Sequence, residues 1–468
     1  MKTRRTFLSG LAAAVPALAQ VGRPERRGPS QRVLILGGGL AGLCAAYELR
    51  QQGHQATVVE AQLRPGGRVR TIRERFAPGL FGEAGAEAIP QSHEITQHYA
   101  REFNLTLLPA TPEGLRGFFH VAGRRIFAAD GDAAWPFELT PEERQLGYAG
   151  LRKKYIGAAV DQALAAGWAK DPIRVMKTWD SQTPGAWLRS RGASPGAAQL
   201  LSLGFGTDFG SAASFLLHTL NTLGSKDSFR IQGGNDSLPR EFAWRVDIRY
   251  GAPVIAVTQN DRIVEVTIRT PSGVERLVAD RAVCALPCPV IGRIFDGARL
   301  SSAKQQAIRD QNYSRTVKVF LQTRSRFWLA NGLNGNATTD LPIERLTPDP
   351  GTSTSDRGAL TAYPIGPYTA ELERMTEDER VAEAHKQARQ IFPELATGFE
   401  GGVAHCWGLD PWQRGSFALH TPGQIGYIET LAKPEGRIHF AGEHTSAWTG
   451  WMQGALESGR RVVSEING

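Results

Sequence analysis

At 468 residues, with 41% apolar and 21% charged residues, the chain exceeds the length over which one hydrophobic core keeps growing, and two interleaved or successive domains are expected. The composition excludes a disordered or collagen-like chain. The formal charge of +8 comes without a long Lys/Arg block or aromatic–basic interleaving, so no nucleic-acid partner is expected.

The chain opens on Thr3-Arg4-Arg5-Thr6-Phe7-Leu8, followed by an apolar stretch over residues 11–18 and by Ala17-Leu18-Ala19 before Gln20. This pattern predicts a twin-arginine signal peptide over residues 1–19, with the Tat export machinery as a partner and a periplasmic or secreted location. A membrane anchor needs roughly 20 apolar residues, and this run is shorter and broken by Pro16, so no stable anchor is expected. Loss of the signal would remove Lys2, Arg4 and Arg5. Residues 20–30 read as a Pro/Gly/Arg-rich linker.

Residues 32–36 are a continuous aliphatic run, as expected of a parallel strand covered on both faces. Gly37-Gly38-Gly39-Leu40-Ala41-Gly42 then turns the chain, residues 43–52 have helical spacing ending at Gly53, and residues 56–60 form a second buried strand. The G-x-G-x-x-G motif therefore sits between a strand and a helix. There Gly37 permits the tight turn, Gly39 lets the backbone approach a pyrophosphate, and Gly42 lets helix and strand pack closely. Glu60, closing the second strand, is placed to accept both hydroxyls of an unphosphorylated adenosine ribose. Dinucleotide binding follows.

Further along, residues 93–103 and 141–170 carry helical spacing, and residues 184–223 read as short helices with Gly breaks, together a mostly helical insertion. Residues 252–257, 263–269 and 281–285 suggest a meander returning to the first domain, with a turn at Pro271-Ser272-Gly273. Residues 299–400 are mixed and include a helix over 377–391. A last strand over 437–441 leads through Gly442 into a closing helix over 451–466. Cys44, Cys284, Cys288 and Cys406 lack the second pair that a zinc site needs, and a chain with this much core needs no disulfide staples, so all four are expected to pack. His54, His93, His218, His405, His420 and His444 are scattered without ligand spacing, and neither a metal nor a catalytic histidine is assigned.

From Arg64-Pro65-Gly66-Gly67-Arg68-Val69-Arg70-Thr71 onward the sequence resembles the flavin amine oxidases, the family of monoamine, polyamine and L-amino-acid oxidases, whose second signature is G-G-R-x-x-T. Arg68 is suited to meet the phosphates as a charge-assisted donor. Three further stretches extend the resemblance over nearly the whole mature chain. Gln232-Gly233-Gly234-Asn235-Asp236-Ser237-Leu238-Pro239 looks like the family's G-G-x-x-x-L-P, and Pro253-Val254 like the strand whose valine backbone pairs with the adenine. Phe440-Ala441-Gly442-Glu443-His444-Thr445, with Gly450-Trp451-Met452-Gln453-Gly454-Ala455, looks like the carboxy-terminal flavin motif, where a helix amino terminus faces the flavin pyrimidine.

The resemblance implies an α/β fold: a Rossmann-like FAD-binding domain built on the β-α-β unit (residues 31–100, 226–298 and 401–468) and a mixed α+β substrate domain (residues 101–225 and 299–400). It implies FAD contacts from Gly37, Gly39, Leu40, Ala41, Gly42, Glu60, Ala61, Gly67, Arg68, Ala86, Glu87, Val254, Gly442, Glu443, Trp451, Met452 and Ala455. Ser416 and Phe417 stand where monoamine oxidases carry a flavin-bonded Cys and a Tyr, so FAD is expected to be non-covalent. Lys318, a lone lysine in an apolar strand, matches the family lysine that holds a water at flavin N5 and favours oxygen reduction. Its alternative is a lysine snorkelling from an edge strand. Phe417 and Trp451 would be the two walls that orient the amine, with Trp407 an alternative wall or part of the core.

The implied activity is oxidation of a small-molecule amine to an imine, with O2 reduced to hydrogen peroxide. An L-amino-acid oxidase and a flavin-dependent C–C desaturase or dehydrogenase stay open as alternatives, as do a non-enzymatic flavin-binding protein and a homodimeric state. In L-amino-acid oxidases G-x-x-R-x-P supplies an arginine that clamps the substrate carboxylate; here Gly85-Ala86-Glu87-Ala88-Ile89-Pro90 has Ala88 at that place. Glu87 beside it would repel a carboxylate unless only its backbone faces the flavin. An uncarboxylated amine is therefore expected, unless an arginine from residues 100–225, such as Arg116 or Arg174, restores the clamp.

Overall fold

The run Arg32–Leu36 (β1) has no polar face to offer water, and it lies at the centre of a five-stranded parallel sheet. Its neighbours are Gln55–Val59 (β2) and, beyond it, Asp247–Arg249 (β3) on one side, and Arg281–Cys284 (β4) then Ile438–Phe440 (β5) on the other. The computed structural model describes residues 26–110, 113–129, 134–204, 210–349 and 356–468; the expected signal peptide, residues 1–19, lies outside them. Among the described residues no helix is long and apolar enough to cross a membrane.

Side chains alternate across β1 and divide its two faces. Val33 and Ile35 pack under the helices Leu40–Gln51 (α1) and Met452–Asn467 (α2), whereas Leu34 and Leu36 pack against an antiparallel meander. The helices approach closely, since a Cβ at Gly459 would stand 2.7 Å from the Ala41 carbonyl oxygen and 3.1 Å from Cys44 Cβ. Cys44 is buried in that contact, and all four cysteines are buried free thiols.

The meander differs from expectation in one strand. Its members are Val254–Gln259, Val264–Thr270 and Gly273–Ala279, while the segment expected as its third strand is β4 of the parallel sheet. Gly273–Ala279 escaped notice because it faces solvent along most of its length, so charged residues interrupt its apolar pattern.

The second layer is a seven-stranded sheet in the order Phe399–Cys406, Val317–Thr323, Gly358–Ala362, Arg345–Asp349, Leu333–Thr339, Arg116–Val121 and Arg124–Ile126. The insertion expected to be mostly helical thus also supplies two strands of this sheet, and a third, Leu107–Pro109, to a separate three-stranded sheet. Its helices, from Pro141–Arg152 to Ala212–Asn221, share a separate core that includes Leu151, Trp187 and Leu216. Glu377–Ile391 is a helix as expected; its Thr376/Glu379 capping box sets the start, and Ala384, Ala388 and Ile391 pack on the strand carrying Lys318.

Candidate active site

One cavity of about 560 Å³ runs from the carboxyl ends of β1, β2, β4 and β5 to the second sheet and the helix Ala212–Asn221. This is where ligands bind in open parallel sheets. At the sheet end, Gly37 adopts φ +105°, which a Cβ would strain. A Cβ at Gly39 would meet nothing within 4 Å, so its backbone is open to the cavity. Glu60 is 7% exposed, and its carboxylate accepts from the Gly38 N–H at 2.6 Å and the Gln62 N–H at 2.8 Å. Burial pushes its pKa upward in spite of those donors. The donors, the bare glycine backbone and the buried acid fit a dinucleotide.

Every residue proposed for cofactor contact lines this cavity except Gly42. A Cβ on Gly42 would lie 2.1 Å from the Gly37 carbonyl oxygen, so this glycine serves the close approach of α1 to the turn and touches no ligand space. Arg68 is neither solvated nor free: its Nη1 donates to Glu443 at 2.6 Å and to the Ser416 carbonyl at 3.2 Å. Glu443 also accepts from the Gly450 N–H at 2.9 Å, and although burial alone would raise its pKa, Arg68 holds it below the usual range.

Lys318 is 1% exposed on a strand paired on both sides, which rules out a snorkelling edge lysine. Its Nζ donates to the carbonyls of Glu83 at 2.8 Å and Gly85 at 3.0 Å and to Glu87 Oε2 at 2.8 Å. An ammonium has three donors, so all are engaged within the chain, and a water at Nζ would have to compete with one of these acceptors. Burial pulls the Lys318 pKa down, but the Glu87 carboxylate outweighs it and the net shift is upward. Glu87 Oε1 accepts in turn from Arg230 Nη2 at 3.2 Å. Burial opposes its ionisation, yet Lys318 and Arg230 together bring its pKa down to about 2.

Glu87 is therefore a matched anion, not a free one. Its charge is spent on Lys318 and Arg230, which removes the expected repulsion of a carboxylate. Arg116 and Arg174 do not reach the cavity: Arg116 lies over the Phe127 ring at 3.7 Å, and Arg174, in the helix Pro172–Met176, pairs at the surface with its capping residue Asp171.

Phe417 and Trp451 both line the cavity. Trp407 also borders it, but its Nε1 donates to the Ala84 carbonyl at 2.6 Å and fixes the indole in the core. Three further cavity residues, His218, Tyr363 and Arg345, were given no part in the site by the sequence. His218 stacks on Trp451 with ring centroids 5.2 Å apart, and the Tyr363 ring lies 4.6 Å from Lys318 Nζ and 4.2 Å from the Arg345 guanidinium carbon. A usable signal for Arg345 existed in the alternation of Arg345-Leu346-Thr347, which puts residues 345 and 347 on the cavity and Leu346 in the core.

The chain belongs to the flavin-containing amine oxidoreductases, whose family pattern matches residues 40–467. An L-amino-acid oxidase of Pseudechis australis is 28% identical over 464 residues, covering 95% of this chain and 88% of the relative. A putative L-amino-acid oxidase of Bacillus subtilis (strain 168) is 28% identical over 464 residues, with 93% and 95% covered. Putrescine oxidase bound to putrescine shares the fold with a TM-score of 0.79 at 22% identity, over 94% of this chain and 99% of that one. Cyclohexylamine oxidase from Brevibacterium oxydans IH-35A gives 0.78 at 22% identity, over 94% and 99%.

Proposed function

We propose that this protein is an oxidase that holds FAD non-covalently and converts an amine to an imine, which water hydrolyses to a carbonyl compound and ammonia or an amine, while O2 becomes hydrogen peroxide. The observation that carries it is the continuity of one cavity from the glycine turn and Glu60 to Lys318, Phe417 and Trp451. Gly37, Gly39, Glu60, Gly67 and Arg68 would hold the nucleotide portion, with Val254 at the adenine; Ala86, Gly442, Trp451 and Met452 would border the ring system. When bound, the flavin supplies the two-electron redox step.

The chain does the rest by position and charge. Phe417 and Trp451 offer two aromatic faces between which a neutral amine is oriented. Lys318 keeps a positive charge in the buried wall, which favours reduction of O2 to anionic products. Ser416 Oγ donates to the Ser314 carbonyl at 2.9 Å and offers no thiol for a flavin bond. Export through the twin-arginine route belongs to the same reading, and the mature protein should begin at Gln20.

Purified protein should be yellow, and acid or heat should release all of its FAD; flavin left on the denatured chain would refute non-covalent binding. Anaerobic amine should bleach the flavin, and air should restore it with peroxide. A flavin bleached by no amine shifts the reading to a C–C dehydrogenase or a non-enzymatic flavin protein.

A further inference from the structure

Among the cations lining the cavity, Arg345 stands apart. Arg68 pairs with Glu443, Lys318 pairs with Glu87, and the exposed Arg414 reaches the Pro289 carbonyl. Arg345 has no ion pair and no side-chain hydrogen bond to any described residue, and its Nε is buried without an acceptor. Of the nearby acids, Glu344 accepts from the N–H groups of Ile365 and Gly366 and Asp349 is bonded to Thr361 Oγ1, while the Arg345 charge favours the ionised forms of Glu344 and Glu87 without a hydrogen bond to either. A guanidinium left without an acceptor in a cavity wall costs free energy that a ligand anion can recover.

Its position is set by the fold. The Arg345 carbonyl accepts from the Tyr363 N–H at 3.1 Å, and Leu346 beside it is anchored between Ala337 and Ala362, so the guanidinium is held over the Tyr363 ring. That ring carries Lys318 at 4.6 Å, and across the cavity His218 stacks on Trp451. Arg345 thus stands beside the proposed amine site, on a different element from Ala88.

We propose that Arg345 is a specificity-determining residue that binds a carboxylate of the amine substrate, so that amino acids are preferred over uncarboxylated amines. This rests on the amine-oxidation reading of the same cavity and reverses the preference expected from Ala88 and Glu87. Glu87 gives no opposition, because Lys318 and Arg230 already match its charge.

The test compares substrates that differ by one carboxylate, on the flavin-loaded protein. L-Phenylalanine against 2-phenylethylamine and L-leucine against 3-methylbutylamine probe an α-carboxylate; 4-aminobutanoate against propylamine probes a distal one. At least one carboxylated member should be favoured in kcat/KM, and Arg345→Met should lower that ratio about ten- to a hundredfold, mainly through KM, with Arg345→Lys intermediate. Calorimetric binding of 3-phenylpropanoate and butanoate against their amides needs no turnover, and at least one carboxylate should bind at least tenfold more weakly to Arg345→Met.

Preference for the uncarboxylated member in every pair, carboxylates bound no better than amides, or an unmoved ratio in a folded, flavin-loaded Arg345→Met overturns the proposal. If Arg345→Met fails to fold, Arg345→Lys must show the reduced ratio and weaker carboxylate binding alone. Carboxylate binding through Arg345 in a protein whose flavin no amine or amino acid reduces supports the anion site and sinks the oxidase reading instead.

Discussion

The two ends of the cavity are built differently. Around the glycine turn of the dinucleotide end the chemistry is local: Gly37 to Gly42, the Gly38 N–H and Glu60 lie within one β-α-β unit, and the buried acid is satisfied by backbone donors. At the substrate end the charges come from distant segments. Glu87 meets Lys318 across 231 residues and Arg230 across 143 residues of sequence. A buried acid held by backbone N–H groups needs only the turn to form; one held by side chains needs three elements to dock. The substrate end is therefore the more vulnerable to single substitutions.

Lys318→Met should show the largest effect. It leaves the Glu87 carboxylate buried with Arg230 alone, and breaking a buried pair from one side costs roughly 3–5 kcal/mol of unfolding free energy. The double variant Lys318→Met/Glu87→Gln should recover part of that loss in chemical denaturation. A single variant as stable as the parent would mean that Glu87 does not depend on Lys318. Where the variant folds, peroxide formation should suffer more than anaerobic bleaching by substrate.

Glu60→Gln should act more weakly and only on cofactor retention. Loss of the charged acceptor should cost about 1–3 kcal/mol of binding, seen as flavin lost on extended dialysis, with little change in the stability of the cofactor-free chain. Unchanged retention would remove Glu60 from the nucleotide site.

A further effect concerns acid. Burial, with a further contribution from Arg345, lowers the His218 pKa to about 4. Between that value and about 6.5, the ordinary histidine value, the unfolded chain binds a proton that the folded chain does not, so stability falls as pH drops through this window. His218→Asn should flatten that part of the curve of thermal midpoint against pH. Glu87 acts in a lower window: with its pKa depressed to about 2, its stabilisation is present above about pH 4.5, the ordinary glutamate region, and disappears toward pH 2. An acid limb unaltered in His218→Asn would place the titrating groups elsewhere.

The elements legible in the sequence are those whose signal is short-range. The aliphatic run of β1, the glycine turn, the acid closing β2 and the helix Glu377–Ile391 with its capping box could each be read from a few adjacent residues, because strand burial, positive φ and capping are local properties. The same held for the family resemblance, carried by contiguous motifs at both ends of the chain. What only the tertiary structure decided was charge matching. Lys318 stood out as a lone buried cation, but its engagement of all three donors, the pairing of the Glu87 carboxylate with two cations and the guanidinium of Arg345 without an ion pair depend on which segments the two sheets bring face to face. An ion pair depends on separation in space, and nothing in the local pattern around residues 87, 230, 318 and 345 records that separation.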